Sequence, residues 1–158
     1  MSNVAARSLA IDPGYDRLGV AVFEGRTLIH SECYIPPKGE FGERLHAVHT
    51  CVTKLLKKYK PRSVALETLF FSTNVKTAIK VSEARGVILL AAAQSGVDIC
   101  EYSPQAVKIA VTGSGNAPKE AVIRMVERMV PLTKRTRLDD EYDAIALGIA
   151  HTVTLRHV

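Results

Sequence analysis

Apolar residues fall along this chain in two rhythms, and the changes between them mark its elements. Ser8 to Asp12 is a short apolar run stopped by the turn pair Pro13-Gly14, which predicts a buried strand. Gly19 to Phe23 and Thr27 to Tyr34 read as two more strands, and the tight link Glu24-Gly25-Arg26 predicts a hairpin between them. From Glu40 to Tyr59 the period shifts. Leu45, Val48, Val52, Leu55, Leu56 and Tyr59 recur at helical spacing, marking an amphipathic helix with a basic outer side. Ser63 to Glu67 predicts a fourth strand and Val97 to Tyr102 a fifth. Between them runs a helix from about Val75 to Ser95, whose second half, Gly86 to Ala93, is apolar on nearly every face. Such a helix is buried on more than one side, and in so small a protein one of those sides suits a second subunit.

Beyond the fifth strand the signals are helical. Ser103-Pro104 supplies an N-cap and a first-turn proline for a short helix ending near Thr112-Gly113. A loop from Gly113 to Pro118 leads to a helix from Lys119 to about Val130. The basic connection Lys134 to Arg137 precedes a last helix, from Asp140 to about Leu155. This order predicts a single α/β layer domain over residues 1–158, a mixed five-stranded sheet flanked by helices.

Composition narrows the class. A chain of 158 residues with 47% hydrophobic and 23% charged residues has the makings of an ordinary globular core. No apolar run is long enough to span a membrane, and the first residues lack the pattern of a secretory signal. Cys33, Cys51 and Cys100 are widely spaced and fit neither a zinc site nor a disulfide framework, which makes a reducing cytoplasm the expected compartment. Lys and Arg number 21 against 16 Asp and Glu, a net charge of +5. That excess suits a polyanionic partner, because phosphate contacts by Lys or Arg release condensed counterions.

Four carboxylates then need a reason. Asp12 and Glu67 each end an otherwise apolar strand, where ligands collect in open α/β sheets. Taken singly, Asp12 reads first as a turn residue before Pro-Gly and Glu67 as a cap for the next segment. Asp140 and Asp143 share one helical face, with ~5–6 Å between Cβ atoms. They too have a plainer reading, as an N-cap and an acid complementing the helix dipole. However, the rest of that helix, Ala144 to Ala150, is almost wholly apolar, so it must lie against the sheet and bring its acidic first turn to the strand ends. Four carboxylates crowded together repel one another unless a hard cation such as Mg²⁺ neutralises them. Two such ions ~3.5–4 Å apart activate water and stabilise the leaving oxygen in phosphodiester hydrolysis. An acidic metal pocket in a basic protein points to a metal-dependent nuclease.

The ordered set Ala10-Ile11-Asp12-Pro13-Gly14, Glu67 to Phe71, Asn74, Glu83-Ala84-Arg85-Gly86-Val87 and Asp140 to His151 resembles the RuvC family of Holliday-junction resolvases. Tyr102, Gln105 to Lys108, Gly113 and Ala117-Pro118-Lys119 resemble the family's segment before its final helices. The likeness runs from Leu9 to His151. It departs from the family at Ser72-Thr73, where many relatives carry a basic residue, and at Glu83, where glutamine is common.

The resemblance implies an RNase H-like fold, a homodimer, and a Mg²⁺-dependent crossover junction endodeoxyribonuclease acting in recombination and repair. Its two active sites would nick opposed strands of a four-way DNA junction symmetrically. Asp12, Glu67, Asp140 and Asp143 fall on the family's metal-binding catalytic acids, which take two Mg²⁺ ions, with Mn²⁺ able to substitute. Lys108 and Lys119 fall on its DNA-contacting positions, and Phe70 on the aromatic that stacks on an unpaired base. The helix around Glu83 to Ala93 falls on its dimer interface. A RuvA–RuvB-like branch-migration complex is the implied further partner, with no membrane involved. Of Phe70 and Phe71, adjacent residues, one is expected to be buried and one exposed. His151, at the far end of the last helix from Asp143, reads as structural. Two rivals stand beside this reading: a ribonuclease of the same fold cutting RNA–DNA hybrids, and a junction-binding scaffold that does not cleave.

Overall fold

The computed structural model describes residues 5–69 and 74–155. Phe70, Phe71, Ser72 and Thr73, and with them the expected stacking aromatic, lie outside the described residues. The chain order is β1 (Arg7–Asp12), β2 (Leu18–Glu24), β3 (Thr27–Tyr34), α1 (Phe41–Tyr59), β4 (Ser63–Glu67), α2 (Val75–Gln94), β5 (Asp98–Tyr102), α3 (Pro104–Thr112), α4 (Lys119–Met129) and α5 (Asp139–Thr154). Every element expected from the pattern is present, with ends shifted by only a residue or two.

The five strands form one mixed sheet in the order β3-β2-β1-β4-β5. β1, β2 and β3 run antiparallel, while β4 pairs parallel with both β1 and β5. Because successive strand residues face opposite sides, β1 divides its side chains between two cores. Leu9 and Ile11 pack with Val48, Val52, Leu55 and Leu56 of α1 and Ile88, Ala91 and Ala92 of α2. Ala10 faces the other layer, with Val107 and Val111 of α3, Val122 and Val126 of α4, and Ala144 to Leu147 of α5. The same alternation turns Asp12 and Glu67 toward α5.

α5 is the helix that decides the site. Its residues Ala144 to Ala150 are buried across the sheet, as its apolar sequence predicts. Gly148 lets it lie close, since a Cβ there would meet Phe23 Cε2 at 2.3 Å. The plainer reading of Asp140 as an N-cap does not hold. Leu138 occupies the cap position, with no side-chain cap hydrogen bond, and Asp140 lies within the first turn. By contrast, Ser103 caps α3 as expected: its hydroxyl accepts from the Ala106 N–H at 3.0 Å.

α2 spreads its apolar residues over two sides. Ala84, Ile88, Ala91 and Ala92 face the core, while Val75, Ile79 and Leu90 are each more than half exposed. Among the described residues, then, one apolar side of α2 has no cover.

Candidate active site

Asp12 and Glu67 end two neighbouring parallel strands. The register pairs Ile11 with Leu66, so the two acids stand side by side at the same edge of the sheet. Across the antiparallel pair, Asp12 faces Gly19 of β2. A Cβ on Gly19 would meet the Asp140 carbonyl oxygen at 1.9 Å and Asp12 Cβ at 3.1 Å. The missing side chain is therefore what allows the first turn of α5 to reach the strand ends. Sequence reasoning overlooked Gly19; the available signal was a glycine inside an apolar strand, which often marks a close approach of backbone.

The grouping shows in the protonation of these acids. Burial, then the charges of Asp143, Glu67 and Asp140, push Asp12 up to about 8 from an ordinary 3.8. Burial and Asp143 push Glu67 up to about 7, against the opposing pull of Lys108 and Lys119. Burial likewise raises Asp143, with Lys119 working the other way. Neither Asp12 nor Glu67 accepts a side-chain hydrogen bond among the described residues. Asp12 and Glu67 thus sit in buried, acid-rich surroundings that the nearby lysines offset only in part.

Two cations pair with the outer acids. Lys119 Nζ lies 3.2 Å from Asp143 Oδ2 and 3.2 Å from Asp139 Oδ2. Burial works against its charge, but Asp143 and Asp139 outweigh it and hold Lys119 above the usual lysine value. Arg17 Nη1 lies 3.5 Å from Asp140 Oδ2. Lys108 joins Lys119 and Asp143 in lining a cavity of about 220 Å³, floored by Val107, Val122 and Ala146. With Asp140 and Asp143 drawn to these cations, no three metal-ligating side chains form a ready-made cage among the described residues. The donor set, all carboxylate oxygen, nevertheless fits a hard divalent cation, and the raised Asp12 and Glu67 mark where added positive charge is most favourable.

The surrounding contacts fix this geometry. Glu141, only 1% exposed, accepts from Ser31 Oγ at 2.6 Å and from Arg135 at 2.5 and 3.0 Å, and Arg137 lies 3.3 Å away. Two of the basic residues before α5 thus serve to pin its acidic turn against β3. On the other flank, Arg85 of α2 donates to the Glu67 carbonyl oxygen at 3.4 Å and pairs with Glu101 of β5. His151 is fully buried at the far end of α5, 2.7 Å from Ser63 Oγ and 2.8 Å from the Tyr102 hydroxyl. It is a core residue remote from the acids, as expected.

Of the expected site residues, Asp12, Glu67, Asp140, Asp143, Lys108 and Lys119 gather at one end of the sheet; Phe70 lies outside the described residues. Comparison with known proteins puts the chain in a family. The family model for the crossover junction endodeoxyribonuclease RuvC matches residues 8–151. The chain belongs to the RuvC family. RuvC of Brachyspira hyodysenteriae is 42% identical over 152 residues, covering 91% of this chain and 92% of the relative. RuvC of Moorella thermoacetica is also 42% identical, covering 90% and 89%. Among solved structures, RuvC of T. thermophilus in complex with Holliday junction substrate superposes with a TM-score of 0.87 at 33% identity, covering 96% of each chain. The fold is therefore RuvC's RNase H-like nuclease fold, in a family that uses divalent metal.

Proposed function

We propose that this chain resolves four-way DNA junctions by paired, symmetric nicks, as an endonuclease of recombination and repair. The observation that carries the reading is the cluster of Asp12, Glu67, Asp140 and Asp143 beside Lys108 and Lys119, in a chain of the RuvC family. The relative captured with a Holliday junction, at 33% identity, supports the substrate.

In this reading the four acids would hold two Mg²⁺ ions, with Mn²⁺ able to substitute. Bound there, the ions would supply an activated water and charge stabilisation for phosphodiester hydrolysis. The remaining work falls to the chain itself. Lys119 and Lys108 turn toward the phosphate and offset its growing charge. Glu141, locked by Arg135 and Ser31, keeps the first turn of α5 facing the strand ends. No side chain acts as a nucleophile.

Selectivity for a junction calls for two sites at a fixed separation, hence a homodimer. The exposed apolar side of α2, with Val75, Ile79 and Leu90, supports an isologous interface there. The whole chain acts as a single nuclease domain. Its setting is the cytoplasm, alongside a RuvA–RuvB-like branch-migration complex. Among the described residues no helix is long and apolar enough to cross a membrane.

The test is strand cleavage of a labelled four-way junction with Mg²⁺, beside linear duplex and RNA–DNA hybrid. Paired nicks confined to the junction are expected. Preferential cleavage of the hybrid would keep the metal site and overturn the substrate. Binding without cleavage in either Mg²⁺ or Mn²⁺ would make the protein a scaffold.

A further inference from the structure

The loop between β1 and β2, together with the parts of α1 and α2 packed on it, carries a second set of cations and aromatics that the cluster around Lys108 and Lys119 does not explain. Asp139 and Asp143, one helical turn apart, share the side of α5 that Lys119 addresses. Asp140 lies about 100° further round the helix, and Arg17 comes to it from the β1–β2 loop, its side chain 52% exposed. Two cations from different elements thus flank the same acidic turn on different sides.

Two residues before Arg17, Tyr15 turns to the α1–α2 layer. It packs edge-on against Phe41 at the start of α1, with ring centroids 5.5 Å apart. Lys80 of α2 extends over both rings, its ammonium 5.4 Å from each centroid. Arg44 also lies over Tyr15, but its charge is taken up by Asp16. Lys80 is different. It is exposed, and among the described residues it pairs with no carboxylate. Lys76, also exposed, stands one turn earlier on the same face of α2. Like charges at this spacing weaken a helix slightly rather than support it. A cation–π seat holds a lysine stem in place while leaving ammonium protons free for an anion.

Resting on the reading of this chain as a junction nuclease, we propose that Arg17 and Lys80 form a second track for the DNA backbone. The track runs from the acid cluster over the Tyr15–Phe41 pair, on the side away from Lys119. The partner chemistry is a phosphodiester strand: phosphates take Arg17 and Lys80, and the aromatic pair fixes the spacing between the loop and α2.

The test is binding of a labelled four-way junction without metal, in chelator, as a function of salt concentration. Each phosphate contact contributes about 0.9 to the log–log salt slope. Arg17→Gln with Lys80→Gln should therefore flatten the slope by roughly two contacts and weaken binding on the order of tenfold. Lys58→Gln is the matched control. Lys58 also sits over an aromatic, 4.9 Å from the Tyr59 centroid, but at the opposite end of α1. It should leave the slope unchanged. An unmoved slope in the double variant, with wild-type binding intact, overturns this inference alone. An equal loss in Lys58→Gln overturns it too, because the effect would then be general charge. A wild type that does not bind junctions overturns the nuclease reading and this inference together. Matching thermal melts establish that all variants are folded.

Discussion

The two ends of α5 treat their buried polar groups in opposite ways. At the C-terminal end, His151 is fully enclosed and both ring nitrogens have hydroxyl partners, Ser63 and Tyr102. Burial holds its pKa below the ordinary histidine value, so the ring is neutral with its hydrogen bonds made. At the N-terminal end, Asp12 and Glu67 are pushed up to about 8 and about 7 by burial and by other acids. The contrast is sharper still within that end. Glu141, buried in the first turn of α5, is fully served by Arg135, Arg137 and Ser31. The protein supplies partners for a buried carboxylate where the role is structural and withholds them from the pair that ends β1 and β4. Unmet charge at a strand end is thus a mark of function, and met charge a mark of architecture.

The strongest way to break the comparison is Asp12→Asn. It should lower junction cleavage by at least about 10²–10³-fold, the scale of losing one charge-stabilising group, while junction binding measured by gel shift persists. At the opposite end, His151→Ala should leave cleavage per folded molecule unchanged. It should destabilise the fold by about 2–4 kcal/mol, through a cavity and orphaned hydroxyls, as read by denaturant unfolding.

Stability against pH separates the ends next. A carboxyl whose folded pKa is raised binds its proton more tightly folded than unfolded, so ionising it opposes folding. Asp12 titrates at 3.8 when unfolded and about 8 when folded. The metal-free protein should therefore lose stability as pH rises through that window, and Asp12→Asn should flatten much of the loss in thermal melts. His151 has its pKa lowered, so its contribution falls away in the other direction, as pH drops below the ordinary histidine value of 6.5. The smallest effect expected is that of Ser31→Ala. Removing one of several partners of Glu141 should cost about 1 kcal/mol, with a smaller change in cleavage than Asp12→Asn.

Much of this was legible in the chain because it is written locally. Apolar alternation and helical spacing marked the elements, and acids ending apolar strands pointed to Asp12 and Glu67. The apolar stretch Ala144 to Ala150 required α5 to lie on the sheet, which carried Asp140 and Asp143 to the same place. What escaped depends on register and on distant partners. Gly19 matters only because it faces Asp12 across β1 and β2 and meets the Asp140 backbone. Arg135 reads as one more residue of a basic connection until Glu141 and β3 come beside it. Arg17 looks like a loop residue until α5 places Asp140 within its reach. The sequence marked α2 as apolar on more than one side, but which residues face outward, Val75, Ile79 and Leu90, depends on how the helix seats on the sheet.

The most direct test of the central claim, that the unmet acids await a divalent cation, is a calorimetric titration of Mg²⁺ into the metal-free protein. It is made near neutral pH in two buffers of different ionisation heat. Binding should release protons, because Asp12 at about 8 and Glu67 at about 7 must ionise to ligate. Asp12→Asn should bind more weakly and release fewer. Wild-type binding with no proton release, or equal binding by Asp12→Asn, would contradict the account.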